Sequence, residues 1–170
     1  MSMTKQVLIT IRSDELLYDI ANETFLRGRS ILTDDNYKNV AAIYATADDG
    51  NVDKIMRGIR RGLMDLRSTS SEYVNDGNLW ANNSLIGMSR DIILTLDMPL
   101  NFDESMSGSI AEAVHGYLAD RAISEWYLAV APEQMEPYTI LAKERLDAFR
   151  EAIAGRNRPS RPPMRKPPRT

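Results

Sequence analysis

The chain has 170 residues, of which 43% are hydrophobic, so it can bury one core without covalent or metal cross-links. It contains no cysteine, which excludes disulfides, thiolate metal sites and a thiol nucleophile. Its single histidine, His115, leaves one imidazole for any catalytic triad. No apolar run approaches the roughly 20 residues that span a bilayer, and the first residues do not form a secretory signal. We therefore expect a soluble protein made in the cytoplasm, not an enzyme, with no cofactor and no metal.

The net charge of −3 conceals two oppositely charged parts. Residues 156–170 hold six basic residues, no acidic residue and five of the eight prolines, which leaves residues 1–155 with a net charge of −9. Proline removes amide donors and favours an extended backbone, so the sequence predicts a domain at 1–155 and a tail at 156–170 that only a partner orders. The alternative is a tail that merely aids solubility. The cations predicted to bind a partner are Arg156, Arg158, Arg161, Arg165, Lys166 and Arg169.

The first predicted elements are a strand and a helix. Residues 6–11 alternate and are rich in β-branched side chains, which is typical of a strand. Ser13 and the two acids after it predict the start of a helix at 14–26, which Gly28 ends. The predicted buried face of this helix carries Leu17, Ile20, Ala21 and Phe25. Between residues 29 and 47 the signals are weak and favour a turn followed by a short helix over 37–44.

A second helix is predicted at residues 52–67, where apolar residues recur at three- and four-residue spacing. Its opposite face is basic. A solvated surface is the favoured interpretation of that face, and contact with an acidic partner or nucleic acid is the alternative. The basic residues are Lys54, Arg57, Arg60, Arg61 and Arg67.

Residues 68–89 form a long polar connection, which predicts a β-hairpin or a projecting loop. Trp80 and Ile86 in this segment, with Arg57, Arg60 and Arg61, form a possible interface. Residues 91–98 predict a second strand, closed by Pro99, that pairs with the strand at 6–11 because neither is stable alone.

The last part of the domain predicts two long helices. One is capped by residues 103–105 and extends to Val130, and the other begins at Pro132 and ends at Gly155. The short joint between them predicts an antiparallel hairpin. The fold class is therefore mainly α, a bundle of about four helices with a small antiparallel β element. The predicted apolar stripes carry Ile110, Val114, Tyr117, Leu118, Arg121 and Trp126 in the first helix, and Met135, Tyr138, Ala142, Leu146, Phe149 and Ile153 in the second.

Several residue types that can carry chemistry have ordinary structural explanations. Adjacent acids at 14–15, 34–35, 48–49 and 103–104 lie at predicted helix starts, where the helix dipole favours them over a role in acid–base or Mg²⁺ chemistry. His115 is interpreted as a packed or interfacial histidine in preference to a lone catalytic base. Trp126 and Tyr127 are interpreted as core residues in preference to an exposed aromatic clasp.

This order of elements resembles the head–tail connector proteins of tailed bacteriophages. Three stretches carry the resemblance: VLITIRSDELLYDIANETFLRGRS at the start, DIILTLDMPLNFDESMSGSIAEAV in the middle, and HGYLADRAISEWYLAVAPEQMEPYTILAKERLDAFREAI before the Arg/Pro tail. They are most similar to structural proteins of phages and prophages of Bacteroides-type bacteria, including crAss-like phages. In that group a Trp followed by an aromatic, matched by Trp126 and Tyr127, precedes a final helix and a basic tail.

The resemblance implies a virion protein that forms a ring, often of twelve copies, beneath the portal. Such rings join the portal to the tail and surround the channel through which DNA passes without sequence-specific binding. The implied partners are the portal protein, other connector or tail proteins and further copies of this chain, with no membrane involved. The alternative from another class is a small helical nucleic-acid-binding regulator that uses the basic face at 54–67 and the tail; the acidic body disfavours it.

Overall fold

The protein is mainly helical, at 66%, with four α-helices and one two-stranded antiparallel sheet among its described residues. This confirms the predicted fold class. The structure is a computed structural model. It describes residues 4–32, 44, 49–77, 81–84, 86 and 90–157.

The sheet pairs strand β1, Thr4–Ile11, with strand β2, Ile92–Pro99. Both strands lie where the alternating pattern predicts them. Pro99, which was expected to follow the last residue of β2, is itself that residue and lies opposite Thr4 at the end of the ladder. The side chains on the inner face are buried in the core: Val7, Ile9, Ile11, Ile92, Leu94, Leu96 and Met98.

Helix α1, Ser13–Ser30, begins where predicted but extends further. The prediction that Gly28 stops this helix is wrong, because Gly28 is a buried helical position. A Cβ atom there would overlap the ring of Tyr44, so glycine is required for close packing. The rest of the short helix predicted at 37–44 lies outside the described residues.

The buried stripe of α1 is rotated relative to the predicted one. It is formed by Leu16, Ile20, Thr24 and Gly28, whereas Phe25 is 44% exposed. A polar residue fits this stripe because the Thr24 hydroxyl donates to the carbonyl oxygen of Ile20 at 3.0 Å. The prediction failed because it placed only apolar residues on the buried face.

Helix α2, Asp49–Thr69, buries the stripe that its spacing predicts. Its close contact with the next helix depends on two glycines one turn apart. A Cβ atom at Gly58 would lie 3.1 Å from Ala122 Cα, and one at Gly62 would lie 3.1 Å from Leu118 Cδ2. The buried apolar residues of α2 are Val52, Ile55, Met56, Ile59, Leu63 and Leu66.

The polar connection after α2 begins by packing against the sheet. Val74 forms an isolated antiparallel bridge with Leu96. The Asp97 N–H donates to the carbonyl oxygen of Tyr73 at 2.7 Å, and the Asn75 N–H donates to that of Thr95 at 3.0 Å. This segment therefore covers the edge of β2 that faces away from β1. Half of the predicted hairpin or projecting loop beyond it, at 78–80, 85 and 87–89, lies outside the described residues.

Helices α3, Ser107–Val130, and α4, Met135–Ile153, form the predicted antiparallel hairpin. A 3-10 turn at Glu104–Met106 precedes α3, and the Asp103 carboxylate accepts the Ser105 N–H there. The predicted capping residue therefore caps this turn, whereas α3 itself begins without a side-chain cap. A second 3-10 turn, Pro132–Gln134, opens α4. Ser124 and Thr139 lie across the hairpin with their hydroxyl oxygens 2.9 Å apart. The two helices join the sheet, α1 and α2 in one hydrophobic core.

Candidate interaction surfaces

The root of the tail is fixed to the domain. Arg156 forms a bridge with Phe102, and the Asn157 N–H donates to the carbonyl oxygen of Asn101 at 2.8 Å. The Arg156 guanidinium donates to the carbonyl oxygens of Ile153 and Gly155, both at 2.9 Å, and to the Tyr73 hydroxyl at 3.2 Å. Arg156 is therefore half-buried in contacts within the chain and fixes where the tail leaves. The other predicted partner-binding cations lie outside the described residues: Arg158, Arg161, Arg165, Lys166 and Arg169.

The basic face of α2 is unevenly exposed. Arg57 and Lys54 are exposed. Arg61 also reaches solvent, but its Nη1 lies 2.6 Å from Glu125 Oε2 on α3, and Arg60 donates to the carbonyl oxygen of Asn82. Contacts within the chain therefore engage two of the three arginines that the sequence assigned to a possible interface.

Arg67, at the end of the same face, is buried in an ion pair. It contacts the Asp76 carboxylate, and the two side chains are only 15% and 4% exposed. Burial lowers the pKa of the Arg67 guanidinium below its ordinary value. Asp76 also accepts the Thr95 N–H at 3.2 Å, so the pair joins α2, the connection after it and β2.

A network of charged side chains links α2 and α3. Arg121 reaches both Asp65, at 3.5 Å, and Glu125, at 3.2 Å. The Tyr117 hydroxyl donates to Asp65 at 3.0 Å, and burial, with the nearby Asp65 carboxylate, raises the pKa of Tyr117 to about 12. Arg121, which the sequence placed on the apolar stripe, is thus half-exposed and acts as an ion-pair partner at the helix interface.

Of the two predicted interface residues in the polar connection, Ile86 is described and Trp80 is not. Ile86 is 7% exposed and belongs to the core. Trp80 lies outside the described residues. Trp126 and Tyr127 are both buried, which confirms their interpretation as core residues.

A polar cluster lies where α1 crosses the helical hairpin. The Tyr138 hydroxyl donates to Glu23 at 2.7 Å, and Arg27 donates to Gln134 at 2.8 Å. Burial raises the pKa of Asp120 to about 6, although Arg145, 3.9 Å away, acts in the opposite direction. Tyr138 of α4 and Gln134 of the 3-10 turn therefore hold α1 against the hairpin, whereas Asp120 of α3 pairs with Arg145 within the hairpin.

An open trough runs along β1. A cleft of about 290 Å³ is lined by residues 5–8 of β1 with Glu104 and Ser107. A second cleft, of about 440 Å³, follows it along the strand. The second is lined by Thr10, Ile11, Arg12, Glu15, Asp19, Gly108, Ala111, Glu112 and His115. In this cleft His115 Nε2 lies 2.8 Å from Asp19 Oδ2, so His115 contacts α1 across the trough.

The backbone of β1 faces this trough. The Thr95 carbonyl and the Asp97 N–H of β2 bond to residues 73–75, on the side of β2 away from β1. Thr95 and Asp97 are therefore positions of the antiparallel ladder that form no backbone hydrogen bonds with β1. Their partners in the register are Leu8 and Gln6. The N–H and C=O groups of Leu8 and Gln6 therefore point away from β2, to the outer edge of β1. Those of Thr4 and Thr10 do the same, because they alternate in step with Leu8 and Gln6. No strand pairs with that edge in the part of the chain that the structure describes.

Sequence reasoning predicted both strands but missed this edge. A two-stranded sheet has two outer edges, and nothing in the polar connection indicated that it would cover β2 and leave β1 open. The alternation of apolar and polar residues in β1 indicates only which side chains face the core. It does not indicate which edge of the strand will have a hydrogen-bonding neighbour in the folded protein.

No group of three or more His, Asp or Glu side chains is placed to hold a metal within the described ranges. Across those same residues, no helix is both long and apolar enough to cross a membrane. Comparisons with protein-family models, with curated proteins and with solved structures found no match.

Proposed function

We propose that this protein is a structural subunit of the portal–tail connector of a tailed bacteriophage, forming a ring that joins the portal to the tail around the DNA channel. The order of elements that suggested this resemblance is a strand, two helices, a strand, a helical hairpin and a basic tail. The structure contains these elements in that order as far as residue 157. The function itself rests on the resemblance and on the surfaces described next.

The observation that carries the proposal is the exposure of large apolar side chains on several elements of the domain, including the sheet, α1 and the hairpin. On the outer face of the sheet, Leu8 and Ile93 are 60% and 44% exposed and lie diagonally across the ladder. On the hairpin, Leu128 and Ile140 are 59% and 53% exposed. A closed ring of identical subunits needs two different surfaces on each subunit, because its contacts are head-to-tail. Exposed apolar side chains on separate elements can supply two such surfaces.

The charge distribution also supports a connector. Residues 1–155 carry a net charge of −9, which disfavours adhesion to DNA that passes through a channel. The five cations beyond residue 157 leave the domain at a fixed point, because Arg156 and Asn157 are bound to it. A cationic segment with a fixed origin can reach an acidic surface on an adjoining ring.

Electron microscopy tests the proposal directly. The protein is mixed with the portal protein of the same phage, or virions are imaged, and a closed ring containing this chain is expected. The variant Ile140→Lys should reduce ring formation because it places a charge on the exposed apolar surface of the hairpin. Ala148→Lys, an exposed position on the same helix, adds the same charge but replaces only a methyl group, so it should assemble normally.

Absence of a ring in virions and in the mixture would overturn the proposal. A monomer or dimer that binds DNA, with affinity falling steeply as salt rises, would instead support the regulator. Equal assembly of Ile140→Lys and the unmodified chain would show that the hairpin surface is not the contact.

A further inference from the structure

We propose that the open edge of β1 is a β-augmentation site, which binds an extended, basic segment of a neighbouring protein as a third strand. Like the ring itself, the identity of the neighbour rests on the proposed connector function. The site rests on the geometry of the trough and on the unpaired backbone groups that face it.

The unpaired backbone groups define the chemistry of the ligand. β1 has eight residues, and alternate residues from Thr4 to Thr10 present a donor and an acceptor to the trough. An exposed strand edge of this length is a template for another strand, and natural proteins usually cover or disrupt such edges. The far edge of the same sheet is covered by residues 73–75, whereas the described residues leave the β1 edge open. An extended peptide satisfies these groups with main-chain hydrogen bonds.

The opposite wall of the trough leaves room for a strand. The helix α3 residues that line it include Ser107, Gly108 and Ala111, all small. A Cβ atom at Gly108 would meet nothing within 4 Å. A third strand lies about 4.8 Å from its neighbour, so small side chains on the facing helix favour its entry.

The charges in the trough favour a basic ligand. At the end near Ile11, Glu15, Asp19 and Glu112 line the cleft together with Arg12 and His115. Arg12 pairs with Asp14 at 2.5 Å and with Glu15 at 3.8 Å, and His115 Nε2 lies 2.8 Å from Asp19 Oδ2. Among the described residues, Glu112 is the carboxylate of this cleft that has no ion pair. At the other end Lys5 is paired with Glu104 at 2.8 Å, so that end is close to neutral. A segment with Lys or Arg near the Ile11 end therefore complements the site.

The tail of this chain is a poor candidate for the third strand. Pro162 and Pro163 are adjacent, so in either register one of them lacks the N–H that β1 would need, and further prolines follow at 167 and 168. The occupant we assign is instead an extended segment of a different connector or portal protein, with basic side chains and few prolines.

Amide hydrogen exchange tests the site in the unmodified protein. In the isolated chain, the amides of Gln6, Leu8 and Thr10 should exchange much faster than those of Val7 and Ile9, which are bonded to β2. In the assembled particle the first set should slow by roughly tenfold or more, because each amide gains a partner. Unchanged exchange of the first set in a particle that contains the chain would overturn the inference and leave the proposed function standing.

A pair of variants tests the same edge independently. Thr10→Pro removes an outward N–H without removing a bond to β2, whereas Thr10→Ala keeps that N–H. Both should keep the circular dichroism spectrum of the parent, and only Thr10→Pro should lose incorporation into the particle. If Thr10→Pro fails to fold, the exchange experiment decides.

An electron-microscopy map of the assembled particle identifies the segment that pairs with the open edge of β1. Density for a strand of a different protein beside β1, with a basic side chain near Glu112, is the expected result. Density for β1 of a second copy or for residues 158–170 would overturn the assigned occupant. A particle that lacks the chain would overturn the proposed function, and the assigned neighbour with it.

Discussion

At the scale of single residues, the same side chain has different roles along one face of α2. Arg57 is exposed, whereas Arg67 is buried against Asp76. The helical period places both on the basic face, so the sequence treats them alike. Only the position of the connection after α2, which brings Asp76 over the end of the helix, separates them.

Replacing Arg67 should therefore destabilise the fold, and replacing Arg57 should not. Arg67→Met leaves the Asp76 carboxylate buried without its counter-charge, which typically costs about 3–5 kcal/mol. Arg57→Met removes an exposed charge and should change the free energy of unfolding by less than about 0.5 kcal/mol. Urea unfolding of the two variants beside the parent measures both values. Equal effects would show that the Arg67–Asp76 pair does not stabilise the fold.

At the scale of elements, α2 and α3 approach closely because glycine occurs where they cross. Gly58 faces the backbone of Ala122, whereas Gly62 faces the flexible side chain of Leu118. The apolar spacing predicted α2 and its buried stripe. It did not indicate which neighbour the glycines would meet, because that depends on the crossing of two helices.

Alanine at these two glycines should have opposite effects. In a helix, Gly→Ala gains roughly 0.5–1 kcal/mol of stability where space allows. Gly62→Ala should realise part of this gain because Leu118 can move, whereas Gly58→Ala should lower the melting temperature because a backbone atom 3.1 Å away cannot move without shifting α3. Thermal unfolding measures both, and a higher melting temperature for Gly58→Ala would contradict the close crossing.

At the scale of the whole molecule, the domain holds the first two residues of the tail. The sequence placed the boundary between residues 155 and 156 from the change in charge and proline content. The structure adds contacts from Arg156 and Asn157 to the segment after β2. The composition therefore changes at residue 156, whereas contacts with the domain continue as far as Asn157.

Two truncations should separate these boundaries. A chain that ends at Asn157 should keep the free energy of unfolding of the parent within about 0.5 kcal/mol, while losing five cations and the assembly that depends on them. A chain that ends at Gly155 should be less stable by about 1–3 kcal/mol, because the hydrogen bonds of Arg156 and Asn157 are lost. Chemical unfolding and sedimentation with the portal protein measure the two effects. Equal stability of both truncations would show that the tail root does not stabilise the domain.

Local patterns were enough to predict both strands, the buried stripe of α2, capping by Asp103 and the helical hairpin, because each depends on local period and capping chemistry. Tertiary packing instead set the burial of Gly28, which lies against Tyr44, and of Thr24 within α1. It also decided which cations are paired and which edge of the sheet stays open. These features depend on contacts between residues far apart in the chain, and no local pattern encodes which residue a side chain or a backbone group will face.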